Sequence, residues 1–209
     1  MSQTTFIEAW HFLPADKKLR YGDGRRVRTG CWHAAKYPTG YTKPVLCKSG
    51  MHASIRPIDA LHYAPGPIVG LCEIRGVEGP PGSAETTLFR GNDKITGEAR
   101  RYLAIADATE TLHLFACDEA ERALNRQQER GYTVDPRSRE AIRVKRLWVA
   151  GQASDSELDA AWAAARDAAG DAAWDAAGDA AWDAAWAAAW DASNARLDEA
   201  LRSLLNQSS

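Results

Sequence analysis

The chain has 209 residues and a formal net charge of −2, a length that suffices for one well-packed domain plus an appendage. Its N-terminal segment has no basic stretch followed by an apolar run, which argues against a signal peptide. No stretch is apolar enough to span a bilayer. We therefore expect a soluble, cytoplasmic protein whose scattered cysteines are reduced and mostly in the core.

The charge is divided unevenly along the chain. Residues 1–154 carry 23 Lys and Arg against 17 Asp and Glu, and residues 155–209 carry 3 Arg against 11 Asp and Glu. The two parts thus have net charges of +6 and −8. Such a division predicts that they attract each other or face different partners.

Alternating segments separated by turn signals dominate residues 6–105 and predict an antiparallel sheet. Gly22-Asp23-Gly24 and Gly91-Asn92-Asp93 are typical of hairpin turns, which need residues that tolerate positive φ. A short helix is predicted near Pro57, with Ser54 as a candidate cap. Three short runs are strand-like: 44–47, 68–75 and 100–104.

Two helices are predicted next. Asp107 with Glu110 fits a capping box, and Gly131 ends the first helix. Asp135 and the following proline begin the second, which runs to about Trp148. That helix carries a basic surface made of Arg137, Arg139, Arg143, Lys145 and Arg146. Such a run is usually a solvated face, and binding of nucleic acid or an acidic partner is the alternative.

The segment from Ser154 to about Leu205 is mostly alanine without proline, which predicts a long helix. Residues 154–157 (Ser-Asp-Ser-Glu) form a capping box at its start. A four-residue Ala-Trp/Gly-Asp-Ala repeat occupies 159–193. Its tryptophans and aspartates are the candidate partner-binding residues: Trp162, Trp174, Trp182, Trp186, Trp190, Asp171, Asp175, Asp179 and Asp183.

The period of this repeat has a geometric consequence. Four residues overshoot one helical turn by about 40°, so the tryptophan row drifts around the helix. A coiled-coil seam repeats every 3.5 residues. The four-residue repeat of this helix therefore excludes an ordinary zipper-like dimer. Burying each indole would contribute about 2 kcal/mol. We therefore expect the N-terminal domain, a second helix or a partner to cover the row, while the aspartates keep the helix soluble or mimic nucleic-acid phosphates.

These patterns predict an α+β fold with a small, mainly antiparallel sheet, two or three helices and a long C-terminal Ala/Trp/Asp helix. We assign residues 1–150 to a compact α+β domain and residues 151–209 to the long helix.

Several short motifs in the first 117 residues occur in a familiar order. They are Trp10-His-Phe-Leu13, Tyr21-Gly-Asp-Gly24, Val45-Leu-Cys47, Gly50-Met-His-Ala-Ser54, Asp59-Ala-Leu61, Tyr63-Ala-Pro-Gly-Pro67, Asp93-Lys-Ile95 and Asp107-Ala-Thr109. With the Ala-rich tail, the chain resembles a family of uncharacterised proteins of tailed phages and prophages. The resemblance implies a phage origin and action inside a bacterial host, and it implies no activity or site residues. The chain departs from the family in a long insertion around 76–90 and in aspartates that replace tail arginines.

His52, Tyr63 and Glu98 are the candidate catalytic residues. A His–Tyr–Glu trio grips the nicotinamide ribose in ADP-ribosyl transfer and stabilises the developing charge. The alternative is structural, with His52 hydrogen-bonded within a turn and Tyr63 in the core. Cys31 and His33, with other cysteines or histidines, lack the paired spacing of zinc ligands, so we expect no metal and no cofactor.

The leading functional hypothesis is a non-enzymatic phage accessory protein that binds a host protein, as a counter-defence inhibitor of the anti-CRISPR or anti-restriction type. The Trp/Asp helix would supply the binding or self-association surface. Two alternatives stay open: an ADP-ribosyltransferase-like or nucleotide-binding domain, and a purely structural oligomer.

Overall fold

The computed structural model describes residues 3–21, 23–80, 83–172 and 182–208, with the backbone alone at 167–172 and 182–189. In that part of the chain it has seven strands in two antiparallel sheets and five α-helices, which confirms the predicted α+β class. The chain divides into two compact units. The first, which we call the sheet unit, comprises Met1–Ala108 and Asn194–Ser209, and the second, the helical unit, comprises Thr109–Ser193.

The sheet unit contains both sheets. The large sheet has the order β1-β4-β7-β2, with β1 at Thr4–Leu13, β4 at Ile68–Val77, β7 at Ala99–Asp107 and β2 at Trp32–Ala34. The small sheet has the order β3-β6-β5, with β3 at Met51–Ala53, β6 at Ile95–Gly97 and β5 at Phe89–Arg90. Of the three long strands, β1 and β4 are rich in β-branched and aromatic residues, which favour a pleated, half-buried surface.

The register of the large sheet decides which side chains meet in the core. Ala9 lies opposite Cys72, which lies opposite Tyr102, and His11 lies opposite Gly70. Because side chains alternate across a strand, these residues share one face. That face forms the core together with small-sheet residues, among them Met51, Ala53 and Ile95.

The opposite face of the large sheet receives the end of the chain. The last helix, α5 at Trp182–Gln207, presents Leu197, Leu201 and Leu205 at intervals of one turn, and all three are buried. The Trp10 indole N–H donates to Asp198 Oδ1 at 2.9 Å. A buried indole needs such an acceptor, so the bond fixes the segment after 193 to this face.

Most local predictions for the sheet unit are confirmed. The chain reverses near Gly24, whose φ is +66° and whose amide donates to the Leu19 carbonyl at 3.1 Å. The second hairpin joins β5 to β6, and the Gly91 amide donates to the Lys94 carbonyl at 2.7 Å.

Two predictions for the sheet unit are wrong. Residues 44–47 are not a strand but part of a tight turn, in which the Val45 and Ser49 backbones pair with each other. Ser54 does not cap α1 at Pro57–His62, because its backbone pairs with Trp10 and the cap position falls to Arg56.

The helical unit begins with α2 at Thr109–Glu129, which ends before Gly131 in the left-handed conformation (φ +86°). The next helix, α3 at Pro136–Val149, is capped by Asp135, whose carboxylate accepts from the Arg137 amide at 2.8 Å. The following helix, α4 at Asp155–Ala172, has the predicted capping box: the Ser154 amide donates to Glu157 Oε2 at 2.8 Å, and the Glu157 amide donates to Ser154 Oγ at 3.3 Å. None of the described helices combines the length and apolarity that a bilayer crossing requires.

Candidate functional site

The most unusual chemistry of the described residues lies on the core face of the large sheet. Five polar side chains gather there or next to it, and we call them the arginine–histidine cluster: His11 on β1, His33 on β2, His52 on β3, and Arg100 and Tyr102 on β7. Three of the five histidines of the chain are therefore in this cluster.

Tyr102 is the centre of the cluster. Its ring lies 6.0 Å from the imidazoles of both His11 and His33, edge-on to each, and the Arg100 guanidinium lies 5.0 Å from its centroid. Its hydroxyl is 3.0 Å from His11 Nδ1. Gly70 makes room for the ring, because a Cβ at that position would lie 2.6 Å from Tyr102 Cδ1.

Arg100 is a buried cation that the sequence did not single out. Its residue is 3% exposed, its Nη1 donates to the His52 carbonyl, and its Nε has no hydrogen-bond partner. No carboxylate forms an ion pair with it within the described part of the chain. The neighbouring Arg101, which points to the other face, is paired with Glu73 at 2.5 Å. Arg100 thus carries a charge that its surroundings do not neutralise.

His33 is the cross-strand neighbour of Arg100. It is 6% exposed, and its Nδ1 also lacks a hydrogen-bond partner among the described residues. Polar atoms this deeply buried are nearly always paired. Two unpaired polar atoms on directly opposed residues are therefore a local exception.

Desolvation favours the neutral forms of His11, His52 and Tyr102, and the Arg100 charge adds to this effect for the two histidines. Loss of water lowers the pKa of His11 well below its usual range, and the charges of Arg100 and His52 add to that effect. Burial also lowers the pKa of His52. Burial raises the pKa of Tyr102 far above its usual range and that of the nearby Cys72 to about 12. A thiol this reluctant to ionise is a poor nucleophile.

The predicted catalytic trio occupies three different environments. His52 Nε2 accepts from the Cys47 amide at 3.0 Å, as expected for a turn histidine. Tyr63 is half-exposed at the end of α1 and donates to the Asp93 carboxylate. Glu98 follows β6, where its carbonyl accepts from the Ala35 amide at 2.7 Å. Each residue has its own partners, and an ADP-ribosyl-transfer role for the three stays a prediction.

A second polar group surrounds Tyr63 at the surface. Lys94 Nζ donates to the Tyr63 hydroxyl at 2.7 Å and lies 4.0 Å from the centroid of its ring. The hydrogen bond from Tyr63 lowers the pKa of Asp93, and the one to Tyr63 raises the pKa of Lys94. Tyr63, Asp93 and Lys94 thus satisfy one another's hydrogen-bonding groups, and their contacts link α1 to the β5–β6 turn at the surface.

The structure also places the residues considered as zinc ligands. Among the described residues, no three His, Cys, Asp or Glu side chains converge as a metal site requires. Cys72 and Cys117 are buried, whereas Cys31 and Cys47 are exposed, so the expectation that most cysteines lie in the core is wrong for half of them.

The predicted basic surface of α3 is largely neutralised within the helical unit. Arg137 pairs with Asp135, Arg143 with Glu140, and Arg146 with both Asp118 and Glu121. Arg139 donates to the side-chain oxygens of Asn125 and Gln128. Lys145 Nζ lies 3.7 Å from the centroid of the Trp148 ring. Three of the five cations are thus ion-paired with carboxylates of the helical unit.

The predicted partner-binding row is described in part. Trp162 on α4 is 50% exposed, and Trp190 on α5 is partly buried. Trp174, Asp175 and Asp179 lie outside the described residues. Asp171, Trp182, Asp183 and Trp186 lie in the stretches of α4 and α5 where the backbone alone is described.

Trp162 differs from the other indoles whose environment is known. Trp10 is buried and hydrogen-bonded, and Trp32 lies about 5 Å from the guanidinium groups of Arg75 and Arg101. Trp148 donates to Asp155 at 2.7 Å. On α4 the partly buried positions near Trp162 are Leu158, Ala161, Ala164 and Ala165, so the indole lies at the edge of the partly buried face of the helix.

No protein-family model, curated protein or solved structure matches the chain. The function therefore has to be inferred from the residues and their geometry.

Proposed function

We propose that the chain is a non-enzymatic binding protein whose contact surface for another protein includes α4. The observation that carries this proposal is the half-exposed indole of Trp162 on an otherwise small-residue helix. A single exposed aromatic residue is common on protein surfaces. Trp162 is distinguished because it is the first of five tryptophans in a four-residue repeat.

The chemistry of α4 indicates the kind of partner. Tryptophan is the residue type most enriched at the energetic centres of protein interfaces, because one rigid side chain buries a large apolar area. Asp155, Glu157 and Asp159 are exposed on the same helix, and residues 155–209 have a net charge of −8. A partner with an apolar pocket and a basic rim would complement both features.

The resemblance to phage and prophage proteins supports a bacterial host protein as that partner. On this proposal the protein acts in the host cytoplasm as a counter-defence inhibitor. The paired arginines of α3 support a protein partner over direct binding to nucleic acid.

The test is capture from bacterial lysate on the full-length chain, compared with Trp162→Ala. Loss of an interface tryptophan typically weakens binding by about 2 kcal/mol or more, so we expect at least a tenfold loss of the captured protein. Tyr132→Ala is the matched control, because Tyr132 is an exposed aromatic residue of the same unit outside α4.

The outcomes separate the hypotheses. A protein captured equally by the wild type, Trp162→Ala and Tyr132→Ala would show that α4 is not its contact surface. Sedimentation velocity over a wide concentration range tests the structural oligomer. If the wild type self-associates and Trp162→Ala abolishes this self-association, the partner of α4 is a second copy of the chain and not a host protein.

A further inference from the structure

We propose that Arg100 and His33 bind an oxyanion of the phosphate type, held between the two sheets of the sheet unit. This site is independent of the protein-binding surface on α4. Its ligand is a free phosphate or the phosphate group of a nucleotide.

The first argument is charge. Arginine is rarely buried without a carboxylate, because its hydration must be replaced by a partner of opposite charge. Two carboxylates on the neighbouring strands are already used on the opposite face, Glu73 by Arg101 and Glu8 by Arg202 at 2.7 Å. The polar contacts of Arg100 within the described part of the chain are with the Tyr102 side chain and the carbonyl of His52. An anion would supply the missing negative charge.

The second argument is hydrogen bonding. Arg100 Nε–H is an obligatory donor, and His33 can present Nδ1–H as a second donor. Both atoms are buried and unpaired, and their residues are directly opposed across the β2–β7 ladder. Side chains at such positions start about 5 Å apart. Two N–H donors beside a fixed positive charge are the elements that recognise phosphate oxygens.

The cluster also contains few competing acceptors. His11 Nδ1 and the Tyr102 hydroxyl are engaged with each other, and His52 Nε2 is engaged with the Cys47 amide. Neither interaction uses Arg100 Nε or His33 Nδ1. The two donors thus stay free for an oxyanion in the folded protein.

Entry of the ligand requires a local opening, since both residues are closed off from water. His33 lies on β2, which has three residues, forms the edge of the large sheet and pairs with β7. A short edge strand with few ladder hydrogen bonds opens at low cost compared with the central strands. Displacement of β2 would expose Arg100 and His33 together.

The test uses the full-length protein and inorganic phosphate, with sodium chloride at matched ionic strength as the reference. Binding is measured by calorimetry and by the imidazole ¹⁵N signals of the histidines. We expect saturable binding that shifts the His33 signals and raises the pKa of His11, because desolvation and the Arg100 charge lower this pKa and an anion beside Arg100 offsets the second cause.

The variants distinguish the site from adventitious binding at the surface. Arg100→Met should weaken phosphate binding by about tenfold to a hundredfold, the range expected for one charged hydrogen bond. His33→Phe keeps a ring beside Tyr102 and should weaken binding about tenfold. Arg101→Met is the matched control, because it removes an arginine from the same strand on the opposite face, and it should bind phosphate like the wild type.

The source of the phosphate group follows from a second titration with adenosine monophosphate. Affinity at least tenfold above that of inorganic phosphate identifies a nucleotide, and equal affinity identifies the free anion. The proposal is overturned if a high concentration of phosphate leaves the wild-type His33 and His11 signals unchanged. This measurement uses the wild-type protein alone, so it does not depend on the folding of a variant. It is also overturned if Arg100→Met and Arg101→Met weaken binding equally.

Discussion

At the scale of single residues, the core of the sheet unit contains a charged arginine beside histidines whose neutral forms are favoured. Arg100 keeps its charge in a buried position, whereas desolvation and that same charge hold nearby histidines neutral. A neutral buried imidazole makes the free energy of unfolding depend on pH, because the unfolded chain binds a proton that the folded chain does not bind.

His11 gives the first prediction. Its pKa is near 6.5 in the unfolded chain and well below that in the folded protein. Above the unfolded pKa neither state binds the proton, and below it only the unfolded state does. The free energy of unfolding should therefore fall as pH drops below about 6.5, by up to about 1.4 kcal/mol per pH unit for this group, and His52 should add to the slope.

Urea unfolding between neutral pH and about pH 5 measures this slope. His11→Gln should reduce it, whatever its effect on stability at neutral pH. His62→Gln is the control, because His62 is exposed at the end of α1. An unchanged slope in His11→Gln would contradict the assignment of the linkage to His11.

The sequence could not have predicted this cluster by spacing. His11, His33 and Arg100 come from three strands, and they meet only through the β1-β4-β7-β2 order and its register. Strand pairing between distant segments is a property of the whole fold that no local motif encodes. The sequence offered one modest signal for the cluster. Arg100 and Tyr102 are two residues apart in a strand whose other residues are mostly apolar, so both side chains lie on the same face.

At the scale of elements, local chemistry was a reliable guide where caps and turns determine the structure. Asp135 caps α3, Ser154 and Glu157 begin α4, and Gly131 follows α2, all as predicted. These rules work because each involves groups within a few residues of each other. Ser54 was mistaken for a cap because its real partner, the Trp10 backbone, is distant in sequence.

The capping box of α4 gives the second prediction. Ser154→Ala removes the hydroxyl that accepts from the Glu157 amide, and it should destabilise the helical unit by about 1 kcal/mol in thermal or urea unfolding followed by circular dichroism. Ser156→Ala is the control two residues away, and it should cost less, because it removes only the contact with Ser154 Oγ and alanine is the better helix former. Equal effects of the two substitutions would mean that the box contributes nothing specific.

At the scale of the whole molecule, the sheet unit is built from both ends of the chain. Leu197, Leu201 and Leu205 are as buried as the central residues of the large sheet, and Asp198 holds the Trp10 indole. Composition predicted a helix in this region. It did not predict that the last turns complete the sheet unit, because the alanine-rich repeat that precedes them has a different pattern.

The third prediction concerns this closure. A fragment of residues 1–150 lacks all three leucines and should lose cooperative thermal unfolding or melt well below the full chain. In the full chain, Leu201→Ala should reduce the free energy of unfolding by about 2–5 kcal/mol, as expected for a buried leucine. Leu103→Ala, at a partly exposed position of β7, should cost much less. A fragment as stable as the intact protein would show that the C-terminal turns are dispensable.

The shared origin of the sheet unit in both ends of the chain has a consequence for biosynthesis. The ribosome releases β1 before the helical unit and the leucines of α5 after it. The face of β1 that carries Trp10 must therefore wait, unpaired with its final partner, while almost two hundred residues are translated. During that interval the nascent chain displays an apolar surface of the kind that chaperones recognise, so its yield in cells should depend on them more than its modest size suggests.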